Sequence, residues 1–153
     1  HLVIRRQRQM CIRDRGIGRV LQIGVRAFSE EECIMMENDD RILSWMARDI
    51  RKNRAVESEI TDFVAEIQGP VWLSIDIDAL DPSIVPATGT PVPGGLDYWF
   101  VIEIIEKLFS GNANVVGADV SEIVPDEHGV TQFTAASIVS SILSGFCFQN
   151  RGE

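Results

Sequence analysis

The chain predicts an α/β fold of three layers, αβα, with a mainly parallel sheet between its helices. Three observations carry that expectation. Short apolar, β-branched runs alternate with segments of helical period along the sequence. The run "VWLSIDI" is apolar on both faces, as a central parallel strand must be. Glycine and proline punctuate the ends of these segments, as at Gly69-Pro70 and Gly111.

Taken in order, "RVLQIGVR" from residue 19 reads as a buried strand. Ser29 and Glu32 form a capping box that opens a helix through "SEEECIMME". Asp39 and Asp40 predict the start of a second helix, with Ile42, Met46 and Ile50 on one face at i, i+4 and i+8. A third helix is expected from about Ser58, burying Ile60, Phe63, Val64 and Ile67 and stopping at Gly69-Pro70. After the strand "VWLSIDI" and a loop rich in proline and glycine, Asp97 caps a helix through "YWFVIEIIEKLF" that Gly111 closes. "NVVGADV" is the next strand, and the last helix is expected over residues 131–146.

The 153 residues are enough for one domain with its own core, at an ordinary soluble balance of 45% hydrophobic and 24% charged. No apolar run is expected to reach the length of a membrane span, and no signal peptide is recognised. Three widely spaced cysteines, Cys11, Cys33 and Cys147, argue against a disulfide framework and suit a cytoplasmic location. The net charge is −9, and the first fifteen residues hold five arginines against one aspartate, so the rest is more acidic still. Such a body repels phosphate backbones; neither nucleic acid nor membrane is expected as a partner. Residues 1–15 show no period of either kind and resemble translated linker, so the domain is taken as residues 16–153.

In parallel sheets ligands bind at the carboxyl ends of strands. Two acid-bearing loops leave strands at that edge, Asp76/Asp78 after "VWLSI" and Asp119/Glu122 after "NVVGA". If the strand continues through residue 78, Asp76 and Asp78 point to one face, where like charges need a cation between them. Closely spaced carboxylates suit Mg²⁺ or Mn²⁺. The following "PATGTPVPGG" is a stiff loop whose Thr88 and Thr90 hydroxyls could meet a substrate or cap the loop's own backbone. Asp81 is expected to cap the turn at Pro82, and Asp119 to support its strand end.

"SIDIDALDP" followed by "PATGTP" and "GG" resembles the signature of the ureohydrolases, the arginase and agmatinase family. "QIGVR" and "GADVSEIVP" resemble that family's strands and loops as well, and the likeness spans about residues 19–148. The resemblance implies a C-terminal half of such a domain, hence a partial domain. It implies two Mn²⁺ ions whose bridging hydroxide attacks a guanidinium carbon, yielding urea and an amine. It assigns Asp76 and Asp78 as metal ligands, Glu122 as the residue that holds the substrate guanidinium, and Thr90 as a substrate neighbour. Agmatine is the first substrate choice, from "IGVRAFSEEE"; arginine and other guanidino or formimino compounds stay open. The family is also commonly trimeric or hexameric.

The family's remaining ligands and its proton-donating histidine precede this region, and this chain holds only His1 and His128. The isolated chain is therefore expected to be inactive. Two alternatives stand beside this reading. One is a Mg²⁺-dependent phosphotransferase of the haloacid dehalogenase type, whose own D-x-D wants Thr or Val where Leu80 stands. The other is a non-catalytic truncated domain, and a sheet lacking its earlier strands should leave an unpaired edge and apolar surface.

Overall fold

The computed structural model describes residues 18–150, so the expectation for the basic first fifteen residues lies outside the described region. In chain order it contains β1 (Val20–Val25), α1 (Glu30–Asn38), β2 (Ile42–Met46), α2 (Ala47–Lys52), α3 (Arg54–Glu66), β3 (Gly69–Asp76), α4 (Tyr98–Ser110), β4 (Ala113–Ser121) and α5 (Val130–Gln149). A 3₁₀ turn, Ile77–Ala79, follows β3 directly.

The alternation and the parallel pairing follow the sequence expectation. Among the described residues, however, the strands form two separate parallel pairs, β1 with β2 and β3 with β4, and not one continuous ladder. The helices pack as layers do, α4 against α3 and α5, with α4 and α5 both lying on β4. The core joins Ile60 and Val64 of α3, Ile75 of β3, Ile105 of α4, Val115 of β4, and Ile138 of α5.

Local chemistry explains most of the boundaries. Ser29 accepts from the Glu32 amide while Glu32 accepts from the Ser29 amide, both halves of the capping box. Asn53 caps α3, which starts four residues before the expected Ser58. Asp97 Oδ1 accepts from the Trp99 amide at 2.8 Å, and the Gly111 amide closes α4 on Lys107.

One expectation is overturned. Residues 42–46 do not open a helix; they are strand β2, in register with β1 from Val20↔Ile42 onward. Asp39 does not cap a helix there; its carboxylate grips the backbone and guanidinium of Arg41 and turns the chain into the strand. The error has a geometric origin. Residues i and i+4 share a face in a strand as they do in a helix, so Ile42 and Met46 fit both periods. Pairing decides, and Ser44 Oγ donates to Gln22 Oε1 across the ladder at 2.7 Å.

α5 corrects a second expectation. Its 20 residues are long and apolar enough to cross a bilayer. Here it packs along α4 and β4, burying Thr131, Ala135, Ile138 and Ile142. Its outer side leaves Phe133 and Phe148 exposed, and Trp72 is likewise exposed on β3. Large apolar surface is therefore uncovered on both layers, as expected of a partial domain.

The Pro/Gly loop is closed by backbone contact. Gly95 lies so close to Leu80 and Asp81 that a Cβ there would stand 2.4 Å from the Leu80 carbonyl carbon. Gly95→Ala is expected to destabilise the chain by about 3 kcal/mol, because backbone has to move. A urea denaturation midpoint lowered in proportion checks this, and an unchanged midpoint contradicts it.

Candidate metal and guanidinium site

The site grows from the end of β3. Ile75 is buried among the helices while Trp72 and Ser74 lie on the open face, so Asp76, in phase with them, stands on that face at the strand's last position. It is half-buried, and its Oδ1 is enclosed. The strand stops there. Asp78 is therefore not delivered by strand alternation, as the sequence argument assumed, but by the 3₁₀ turn. Ile77 and Leu80, at 0% and 1% exposure, pin that turn into the core, and Asp78 is carried inward to 6%.

The other motif residues are brought to the same rim by two connections. Thr90 Oγ1 donates to Asp78 Oδ2 at 2.6 Å, tying the "PATGTP" loop to the turn. Its oxygen keeps acceptor capacity for a substrate N–H. The register of β3 with β4 sets Asp76 opposite Ser121, so Glu122 is the next residue beyond Asp76's neighbour. Adjacent strands run about 4.8 Å apart, which makes these loops immediate neighbours. A bridge between Thr88 and Ile123, with the Val124 amide donating to Ala87 O at 3.3 Å, then stitches the two loops together.

Glu122 has φ 63°, among the described residues the one non-glycine position in the left-handed region. A side chain held there costs on the order of 1–3 kcal/mol, and such outliers cluster where a site needs one group aimed in one direction.

Asp81 does more than cap its turn. Its Oδ1 accepts from the Ser83 amide and hydroxyl, at 3.0 and 2.6 Å. Its Oδ2 accepts from the Gly94 and Gly95 amides, at 2.8 and 3.2 Å, across the full length of the loop. The Ser83 hydroxyl and amide, then the glycine amides, lower its pKa to about 2. Asp119 supports its strand, as expected, accepting from Trp72 Nε1 at 2.8 Å and Ser74 Oγ at 3.0 Å. Asp126 gathers the amides of Thr131, Val130 and His128 at the start of α5, which holds its carboxyl below the ordinary range. His128 itself is exposed.

Arg26 was not singled out by sequence. It follows β1, and its guanidinium donates to the carbonyl oxygens of Asp78 and Ala79. It closes the "QIGVR" stretch, but its partners are backbone atoms, which every residue possesses, so the stretch does not show what it binds.

The arginase family profile matches residues 3–145. The chain belongs to the arginase family. It is 36% identical over 134 residues to an agmatinase of Pyrococcus horikoshii, covering 86% of this chain and 44% of that protein. It is 32% identical over 120 residues to an N(1)-aminopropylagmatine ureohydrolase of Thermus thermophilus, covering 78% and 39%. The crystal structure of a hypothetical agmatinase from Burkholderia thailandensis superposes with a TM-score of 0.74 at 28% identity, covering 95% of this chain and 44% of that one. The chain thus spans less than half the length of the relatives it matches, and its two strand pairs and layered helices are part of an arginase-like αβα domain. These comparisons give no support to the phosphotransferase alternative.

The donors suit the divalent ions that the family implies: enclosed carboxylate oxygen favours hard cations. Among the described residues, no group of three or more His, Cys, Asp or Glu side chains gathers in one place. Asp76 and Asp78 offer the kind of oxygen donor that such a metal takes, at the end of β3 and in the turn that follows it.

Two outcomes are expected here. Asp81→Asn should lower stability at pH 6 by on the order of 1 kcal/mol, allowing for solvent screening. A depressed carboxylate stabilises above its unfolded pKa and loses that contribution as pH falls toward its folded value. The gap between variant and unaltered chain should therefore close between about pH 4 and pH 2, read by denaturation at stepped pH. Glu122→Gly should be more stable than Glu122→Ala by about 1 kcal/mol, since only the glycine accepts a positive φ without penalty. Equal midpoints for these two would mean that residue 122 is not held in the left-handed region.

Proposed function

We propose that this chain is the metal- and guanidinium-binding half of a ureohydrolase that releases urea from a guanidino compound, with agmatine as the first substrate. The observation that carries the reading is the register of β3 on β4, which sets the Asp76 strand end beside Glu122 while Thr90 closes on Asp78.

Asp76 and Asp78 would hold divalent metal, which we take to be Mn²⁺. A metal held there would supply Lewis-acid activation of the attacking water. The residues of this chain do the rest of what is proposed for it. Glu122, presented by its strained backbone, accepts two parallel N–H bonds from a guanidinium and matches its charge. That pairing would fix the plane of the guanidinium at the rim where the β3 and β4 loops are neighbours. Thr90 braces Asp78 and presents a hydroxyl oxygen to the substrate edge. The stiff Asp81-centred loop keeps these groups in place without reorganisation when substrate arrives. The general acid that the amine product needs is not assigned among the described residues.

The agmatine preference is supported by the agmatinases among the relatives, and the N(1)-aminopropylagmatine ureohydrolase among them keeps a substituted agmatine open. We further propose a cytoplasmic homotrimer or homohexamer for the whole protein.

The test is a chimera that joins residues 18–150 to the preceding half of the Pyrococcus horikoshii agmatinase. With Mn²⁺ it is expected to release urea from agmatine, and no phosphate from phosphate esters. Asp78→Asn and Glu122→Gln should each lower kcat/KM by about 100-fold or more. The 153-residue chain alone should release no urea at enzymatic rates. A folded chimera that binds Mn²⁺ yet hydrolyses no guanidino compound, or an undiminished Glu122→Gln variant, would refute the assignment.

A further inference from the structure

We propose that Arg26 is a positioning residue for the metal-binding turn: its guanidinium fork, anchored at the end of β1, holds the backbone that presents Asp78. This inference rests on the reading of Asp76 and Asp78 as metal ligands.

Ile77–Ala79 is a single short 3₁₀ turn, and the Leu80 amide closes it on Ile77 O at 3.2 Å. Three residues of 3₁₀ geometry are weak by themselves. Arg26 supplies what the turn lacks. Its Nη2 donates to the carbonyl of Asp78 and its Nη1 to the carbonyl of Ala79, from more than fifty positions away in sequence. Ala79 O also accepts from the Leu96 amide at 2.9 Å, so this carbonyl is tied from two directions. Leu96 in turn packs on Gly24 of β1, where a Cβ would stand 2.8 Å from Leu96 Cδ1. The end of β1 is thus fastened to the turn by packing and by hydrogen bonds, although β1 and β3 share no ladder among the described residues.

One consequence follows for metal binding. Both carbonyls are turned onto the guanidinium, which leaves the Asp78 side chain as the group that the turn offers to an ion. Only a planar fork with parallel N–H groups reaches two successive carbonyls; a lysine ammonium is a single point on a more flexible stem.

The experiment compares the unaltered chain with Arg26→Lys, Arg26→Gln and Arg26→Ala by amide NMR. Hydrogen exchange at Leu80 and Asp81 reads the turn, and exchange at Ile105 in α4 reads the global fold. Added Mn²⁺ broadens nearby amides even when affinity is low, so half-broadening at Asp76 and Asp78 reads metal binding. In the Arg26 variants, exchange at Leu80 and Asp81 is expected to quicken with Ile105 unchanged. The Mn²⁺ needed should rise about tenfold, as for other groups that orient metal ligands. Lysine should rescue little of it, because charge without the fork does not hold two carbonyls. Unchanged exchange at Leu80 and Asp81, or quickened exchange with no change in the Mn²⁺ requirement, would overturn the proposal. Absence of selective broadening in the unaltered chain, with Asp78→Asn no different, would overturn the metal reading itself and this role with it. Should Arg26→Ala fail to fold, Arg26→Gln and Arg26→Lys carry the comparison.

Discussion

The parallel register of β3 on β4 is the constraint on which the site depends. Setting Asp76 level with Ser121 fixes which two loops become neighbours, and everything at the rim follows from that alignment. A slip of one residue would send Asp76 and Trp72 to the helix-covered face and Ile75 outward. Burial enforces the register: Ile75 and Val115 are buried among the helices, and Gly117 leaves room for the Trp72 ring, a Cβ there standing 2.4 Å from it. Core packing, not the acids, therefore positions the acids.

Around that alignment the carboxylates serve as organisers of backbone. Asp81 joins both ends of the Pro/Gly loop, Asp126 starts α5, Asp39 turns the chain into β2, and Asp119 binds two side chains of the neighbouring strand. Each is satisfied by several donors. Charge-assisted bonds to backbone amides are worth more than neutral ones, so a few acids can fix long irregular segments. Glu122 is the exception in kind. It is held at a positive φ, and the bridge between Thr88 and Ile123 beside it maintains the backbone against that strain.

The chain spans less than half the length of the arginase-family relatives it matches, and its surface carries open apolar residues. Among the described residues the strands form two pairs without a shared ladder, and Trp72, Phe133 and Phe148 lie open to solvent. The core is nonetheless continuous across all the layers, from Ile60 in α3 to Ile138 in α5. Arg26 and the Gly24–Leu96 contact are where the first strand pair reaches the loop of the second.

Much of the molecule was legible in the sequence because its signals are local. Capping residues such as Ser29 and Asp97 act within three positions, and the spacing of "DIDALDP" and "PATGTP" is a chemical pattern independent of packing. Fold class, the helices α1, α3, α4 and α5, and the candidate acids came from that level. Only the tertiary structure decided that residues 42–46 are a strand, because Ile42 and Met46 satisfy both periods and pairing with β1 breaks the tie. It also decided that Asp78 is set by a turn and not by a strand, and that Arg26 holds that turn. The left-handed conformation of Glu122 belongs to the same level. Backbone carbonyls and dihedral angles carry no residue-specific letter, so their roles exist only once distant segments have met.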